Sequence, residues 1–319
     1  MAFMMIRLMT ANSTDSTTMP LNAPVLIRSR SCTISTEPGR EATDDSVSSF
    51  DGEVHIARDD LQENSSYFNA ELNEIEEERL MTLVLTYEIR KNDVQRLRKL
   101  KNFEIVILCD DSGTMTNFVD GTTRTRWDEL RMFVRLVVEI GTIFDSNGIN
   151  IHFLNRQNSY RISNPKDVER LFKIPPRGYT PLARVLRNIL QSHVQHQQNK
   201  KLLIFIATDG IPTDDDGNPN LPEFKHVMEH ERQVDNTHVM FLICTDDSET
   251  VSYLRQWDAE MVNVDVTDDY QTQEKMIREI HGANYPFSYA DYVVKVLVGA
   301  IDPDIDRSDD LPDEDDILS

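Results

Sequence analysis

Apolar positions recur along this chain in two periods, and the change between them divides it. Leu72, Ile75, Leu80, Leu83, Val84 and Tyr87 fall at helical spacing among Glu and Arg, which predicts an amphipathic helix over 69–91. A shorter helix is expected over 94–100. From Phe103 onward, short apolar runs alternate with helical patterns. Strands are expected at 103–109, 149–154, 160–162, 202–207, 238–244 and 261–266. Between them, helices are expected at 126–144, 164–172, 181–194, 248–257, 270–280 and 289–298. This alternation implies an α/β fold: a doubly wound, mostly parallel sheet covered on both faces. Arg156-Gln-Asn-Ser159 reads as a hairpin turn, so 160–162 returns as one antiparallel edge strand.

The flanks lack such periods. Residues 1–65 are rich in Ser, Thr, Asp and Pro and read as a disordered segment. Their early part, poor in acids and carrying arginines, has a composition shared by mitochondrial transit peptides and plain solvated tails. Arg28-Ser-Arg-Ser-Cys-Thr33 also has a spacing that basophilic kinases recognise. The expected organisation is therefore disorder over 1–65, a helical lead-in over 66–101, one folded domain over 102–301, and an acidic disordered tail over 302–319. The lead-in either packs on that domain or binds a partner, packing being the default.

Charge narrows the class of function. A formal charge of −22 over 319 residues, with no basic patch, argues against nucleic acid and against an anionic membrane surface. No apolar run is long enough to span a bilayer. Cys32, Cys109 and Cys244 are odd in number and widely spaced, which reads as reduced thiols in a reducing compartment. Cytoplasmic residence is expected, with the nucleus as the alternative.

The chemistry gathers where the first buried strand breaks into Asp110-Asp-Ser-Gly-Thr-Met115. In an open α/β sheet, ligands sit beyond the carboxyl ends of strands. Tracing the alternation up and down the sheet brings three segments to one edge: this turn, Gly178-Tyr-Thr180-Pro-Leu182, and Ala207-Thr-Asp209-Gly210. Ser112, Thr114 and Thr180 offer neutral hydroxyl oxygens. Asp110 and Asp209 offer charge, directly or through waters. Such an oxygen set suits Mg2+, with Mn2+ or Ca2+ as alternatives.

These three segments, in this order, resemble the von Willebrand factor type A (VWFA) domain and its metal-ion-dependent adhesion site, written Asp-x-Ser-x-Ser with a distant Thr and a distant Asp. Thr114 stands where that family usually has a second Ser, and it keeps the hydroxyl. The resemblance covers roughly Phe103 to Ile301. It implies a Rossmann-like fold, metal ligands Asp110, Ser112, Thr114, Thr180 and Asp209, and metal-bridged capture of a partner's Asp or Glu rather than turnover. Arg124, Arg126, Arg156 and Arg177 lie in the same loops and are expected to form a positive rim that recruits an acidic protein.

Other readings compete. Asp110 also resembles the strand-end nucleophile of haloacid-dehalogenase phosphatases, but the acid expected two residues on is replaced by Ser112. A scaffold with a structural or vestigial metal site is a further alternative. Asp214-Asp-Asp-Gly-Asn with Glu223 partly matches a calcium loop, except that Pro212 takes its first ligand position. An acidic surface turn is the simpler reading. His193 and His196 share a helix end without zinc spacing to any other His or Cys. The acidic tail could reach the metal position in cis, at an entropic cost.

Overall fold

A computed structural model describes residues 72–119, 121–195, 200–245 and 247–306. The expectations for 1–65, the kinase-type motif, His196 and most of the acidic tail lie outside the described residues.

The centre is a six-stranded sheet: β1 (Phe103–Cys109), β2 (Ile149–Phe153), β3 (Tyr160–Ile162), β4 (Lys201–Thr208), β5 (Thr237–Ile243) and β6 (Val264–Thr267). Its order is β3-β2-β1-β4-β5-β6, with β3 antiparallel and every other pairing parallel. The protein thus has a Rossmann-like doubly wound fold with one antiparallel edge strand. The strand order reverses direction between β1 and β4, the position at which ligands of open α/β sheets bind beyond the strand ends. Every residue of β1, and every residue of β4 after Lys201, is buried, and alternate apolar side chains divide between two cores, as a strand covered on both faces requires.

Helices α1 (Glu74–Tyr87), α2 (Lys91–Arg98), α3 (Arg126–Phe144), α8 (Tyr270–His281) and α9 (Tyr289–Val298) contribute buried side chains to one core. The other takes side chains from α5 (Leu182–Gln195), α6 (Leu221–His226) and α7 (Ser252–Glu260). Short helices α4 (Val168–Leu171) and α10 (Pro303–Asp306) complete the set among the described residues. The lead-in helices pack on the domain. Leu80, Leu97 and Leu100 are buried in the α3-side core, and Arg79 donates to the Thr142 carbonyl at 3.0 Å.

Several boundaries differ from expectation for local reasons. Helix α1 starts at Glu74 because Asn73 forms a capping box with Glu76, and it stops where Glu88 turns left-handed at φ 58°. Strand β6 starts at Val264 because Asn263 also has positive φ. The expected helix at 164–172 is a 3-10 turn, Pro165–Asp167, followed by the single turn of α4. The segment read as an acidic turn after Asp209 runs into a helix, α6, which continues as a π turn over Val227–Glu231. Leu221, Phe224 and Met228 carry its i, i+3, i+7 pattern, in a run crowded by Glu, Lys and His.

Candidate metal centre

Strand β1 ends and the chain turns sharply, because Ser112 N–H donates to Asp110 Oδ1 at 2.8 Å and Gly113–Thr116 coils into a 3-10 turn. The other Asp110 oxygen accepts from Thr208 Oγ1 at 2.7 Å, at the end of the neighbouring strand. Ser112 Oγ lies 3.0 Å from Thr114 Oγ1, and Thr114 Oγ1 donates to Asp209 Oδ1 at 2.8 Å. Asp110, Ser112, Thr114 and Asp209 are thereby linked through these bonds and the paired ends of β1 and β4. Asp110 is fully buried, whereas Thr114 is exposed, so the cluster opens to the surface.

Thr180 arrives on its own loop. Gly113 N–H donates to Gly178 O at 3.2 Å, joining that loop to the Ser112 turn. Thr180 N–H donates to Thr213 Oγ1, and Thr180 O accepts from Leu182 and Thr213. Its backbone is thus fixed between two loops and its side chain is buried.

A clamp that the sequence reading missed holds this loop. Asp111 Oδ1 accepts from Asn155 N–H at 2.9 Å and from Asn155 Nδ2 at 3.1 Å. Asn155 Nδ2 also donates to Tyr179 O at 2.8 Å, while its Oδ1 accepts from Tyr179 N–H at 3.3 Å. The approach is tight enough that a Cβ on Gly178, where φ is +110°, would lie 2.3 Å from Asn155 Oδ1. One available signal was the buried strand end Asp110-Asp111, since a second carboxylate there needs its own counter-ion.

That counter-ion is Arg156, 3.1 Å from Asp111 Oδ2, with its guanidinium 3.7 Å above the Phe153 ring and a further bond to Leu171 O. Arg126 is likewise engaged, with Nη1 2.8 Å from Asp209 Oδ2. Two members of the expected rim are therefore spent on internal ion pairs with buried carboxylates. Arg124 sits 3.7 Å from Glu129. Arg177 is exposed, and among the described residues it forms no ion pair.

Electrostatics favour a cation. Burial, and then the nearby Asp209 carboxylate, push the Asp110 carboxyl well above the ordinary carboxylate range, against the hydrogen bonds from Ser112 and Thr208. Arg126 pairs with Asp209, and Asp110 forms no ion pair among the described residues, which leaves a negative charge unmatched when both carboxylates are ionised. The donor set also fits a small hard cation. Mg2+ holds oxygens octahedrally at about 2.0–2.1 Å, so adjacent ligand oxygens lie about 3 Å apart. The Ser112–Thr114 and Thr114–Asp209 oxygens are hydrogen-bonded at 3.0 and 2.8 Å, separations that an octahedral edge also spans.

The remaining candidates lie elsewhere. Asp214 closes a local turn, accepting from Asp216 and Asn218 amides at 3.0 and 2.8 Å. His193 Nδ1 lies 2.8 Å from Glu104 Oε2. Cys109 and Cys244 are free thiols. A further group of carboxylates, Asp258, Asp265 and Asp306, has oxygens within 4.8 Å of one another. It includes a buried ion pair, Lys295 Nζ to Asp265 Oδ1 at 2.9 Å, which gives it a structural role. No helix among the described residues is long and apolar enough to cross a membrane.

No family model matches the chain. No curated protein matches it either. Solved structures that resemble it include the pilus adhesin SpaC from Lactobacillus rhamnosus GG, at 14% identity and a TM-score of 0.40. That match covers 60% of this chain and 30% of the adhesin. So slight a likeness carries no functional argument.

Proposed function

We propose that the chain is a divalent-cation-dependent protein-binding module of the VWFA kind, with Asp110, Ser112, Thr114, Thr180 and Asp209 holding Mg2+. The observation that carries this reading is the hydrogen bond from Thr114 to Asp209, which joins two loops 95 residues apart. The five residues divide the work. Asp110 and Asp209 supply negative charge at the ends of adjacent strands, and the hydroxyls supply neutral oxygens, with Thr114 the exposed one. When bound, the ion offers an electron-poor coordination position to a partner's carboxylate. Asp110 itself is buried and both its oxygens accept hydrogen bonds, which leaves neither oxygen presented for attack on a phosphoester.

The test is a pull-down from extract in Mg2+, in chelator, and with the Asp110→Ala variant. Partners lost both in chelator and in the variant are expected. Partners retained in both conditions would refute the metal-bridged mode.

A further inference from the structure

We infer that the preferred partner segment carries an Asp or Glu flanked by apolar side chains, rather than a run of acids; this rests on the metal-site reading above. Each loop that contributes to the proposed centre also presents one large apolar side chain to solvent. Phe118 follows the Ser112 turn and is 65% exposed. Tyr179 precedes Thr180 and is 54% exposed. Ile211 follows Asp209 by two residues and is 44% exposed. The sheet brings these loops to one edge, so the three side chains belong to the same loops that carry the oxygen cluster.

The collar is held in place. The Phe118 backbone bridges to Thr125, ahead of the capped start of α3. The Tyr179 backbone is held on both sides by Asn155. Its ring lies against Gly217, where a Cβ would come within 2.5 Å of it. Gly217 has φ +87°, so two constraints exclude a side chain there and leave the ring a flat seat. A fixed, half-exposed aromatic beside a charged position is the arrangement that anchors interfaces at low entropic cost.

Charge selects the occupant. Arg177 adjoins Gly178, is exposed, and has no carboxylate partner among the described residues. Its amide donates to Asp111 O at 2.6 Å, which ties it to the rim of the cluster. An anionic side chain at the centre is therefore welcomed. A poly-acidic segment, by contrast, would set its remaining charges against the apolar collar and against Asp214 and Asp247, half-exposed and exposed on neighbouring loops, within a chain of charge −22.

The test uses the full chain and fluorescently labelled short peptides of three kinds: one Asp between Leu and Phe, one Asp between glycines, and a run of Asp. In Mg2+, the apolar-flanked peptide is expected to bind at least about fivefold tighter than the others. Phe118→Ser and Ile211→Ser, both at exposed positions, should erase that preference while leaving the Mg2+-induced rise in melting temperature unchanged. Equal binding of all three peptides, or unchanged preference in both variants, would overturn the proposal. So would an absence of peptide binding while Mg2+ still raises the melting temperature, and that result spares the metal site. Absence of both responses would remove the metal reading as well.

Discussion

Arg126 places a guanidinium nitrogen 2.8 Å from Asp209 Oδ2, on the side of that carboxylate away from Thr114. The first helical residue of α3 thus supplies a resident positive charge beside the proposed cation position. Arg126→Gln is expected to lower stability without metal by about 3 kcal/mol, since it leaves a buried carboxylate without its counter-ion. Millimolar Mg2+ should return part of that loss, giving the variant a larger Mg2+ response than the parent. Melting curves with and without chelator measure both quantities.

Asp209→Asn and Asp110→Ala should abolish the Mg2+ response. A ligand at one hundred times its dissociation constant stabilises the folded state by about 2.7 kcal/mol. The parent is therefore expected to melt several degrees higher in saturating Mg2+, and both variants at the same temperature with or without it.

Gly178→Ala is expected to cost more than about 1 kcal/mol and to weaken the Mg2+ response. Positive φ strains any other residue at that position, and the added Cβ would displace Asn155. The Thr180 loop would then lose its clamp. Calorimetry and Mg2+ titration of the same variant report the two effects separately.

His238 predicts an acid limb of the stability curve. Its Nδ1–H donates to Ala300 O at 2.8 Å, its ring packs edge-on against Phe103, and burial lowers its pKa from 6.5 to about 4. The unfolded chain binds the proton more readily, so this contribution is complete above about pH 6.5 and is lost as pH falls through about 4. At about 1.4 kcal/mol per unit, the full loss is roughly 3.5 kcal/mol. His238→Asn, which keeps a donor, should flatten denaturant-derived stability across that window.

Lys295→Met should be the most damaging of these changes, by about 3–5 kcal/mol, because it removes the ammonium paired with the buried Asp265 carboxylate. Lys295→Met combined with Asp265→Leu is expected to recover much of the loss in urea titrations.

The sequence made the sheet and the convergence of loops legible because buried parallel strands write their own boundaries. The apolar run of β1 ends at Cys109, and β4 is a run of apolar residues ending in Thr208. Once strand directions alternate with helices, Asp110 and Asp209 fall at the same edge without further input. The ion pairs were not legible, since Arg126 and Asp209 are 83 residues apart and nothing in local spacing links them. Loop arginines thus read as a free rim when Arg126 and Arg156 face inward. Helix α6 was hidden for a different reason: the Asp/Gly turn preceding it drew the whole segment into one reading, and its apolar positions are few.

Along β1 and β4, seven residue pairs keep register from Phe103↔Lys201 to Cys109↔Ala207, and Asp110 N–H continues the ladder to Ala207 O. The spacing between the two acid-bearing strand ends is therefore inherited from sheet geometry, while the outer loops only decorate it. Such a division would let a protein engineer swap the segments around Phe118, Tyr179 and Ile211 for new ones without rebuilding the strand ends that carry the acids.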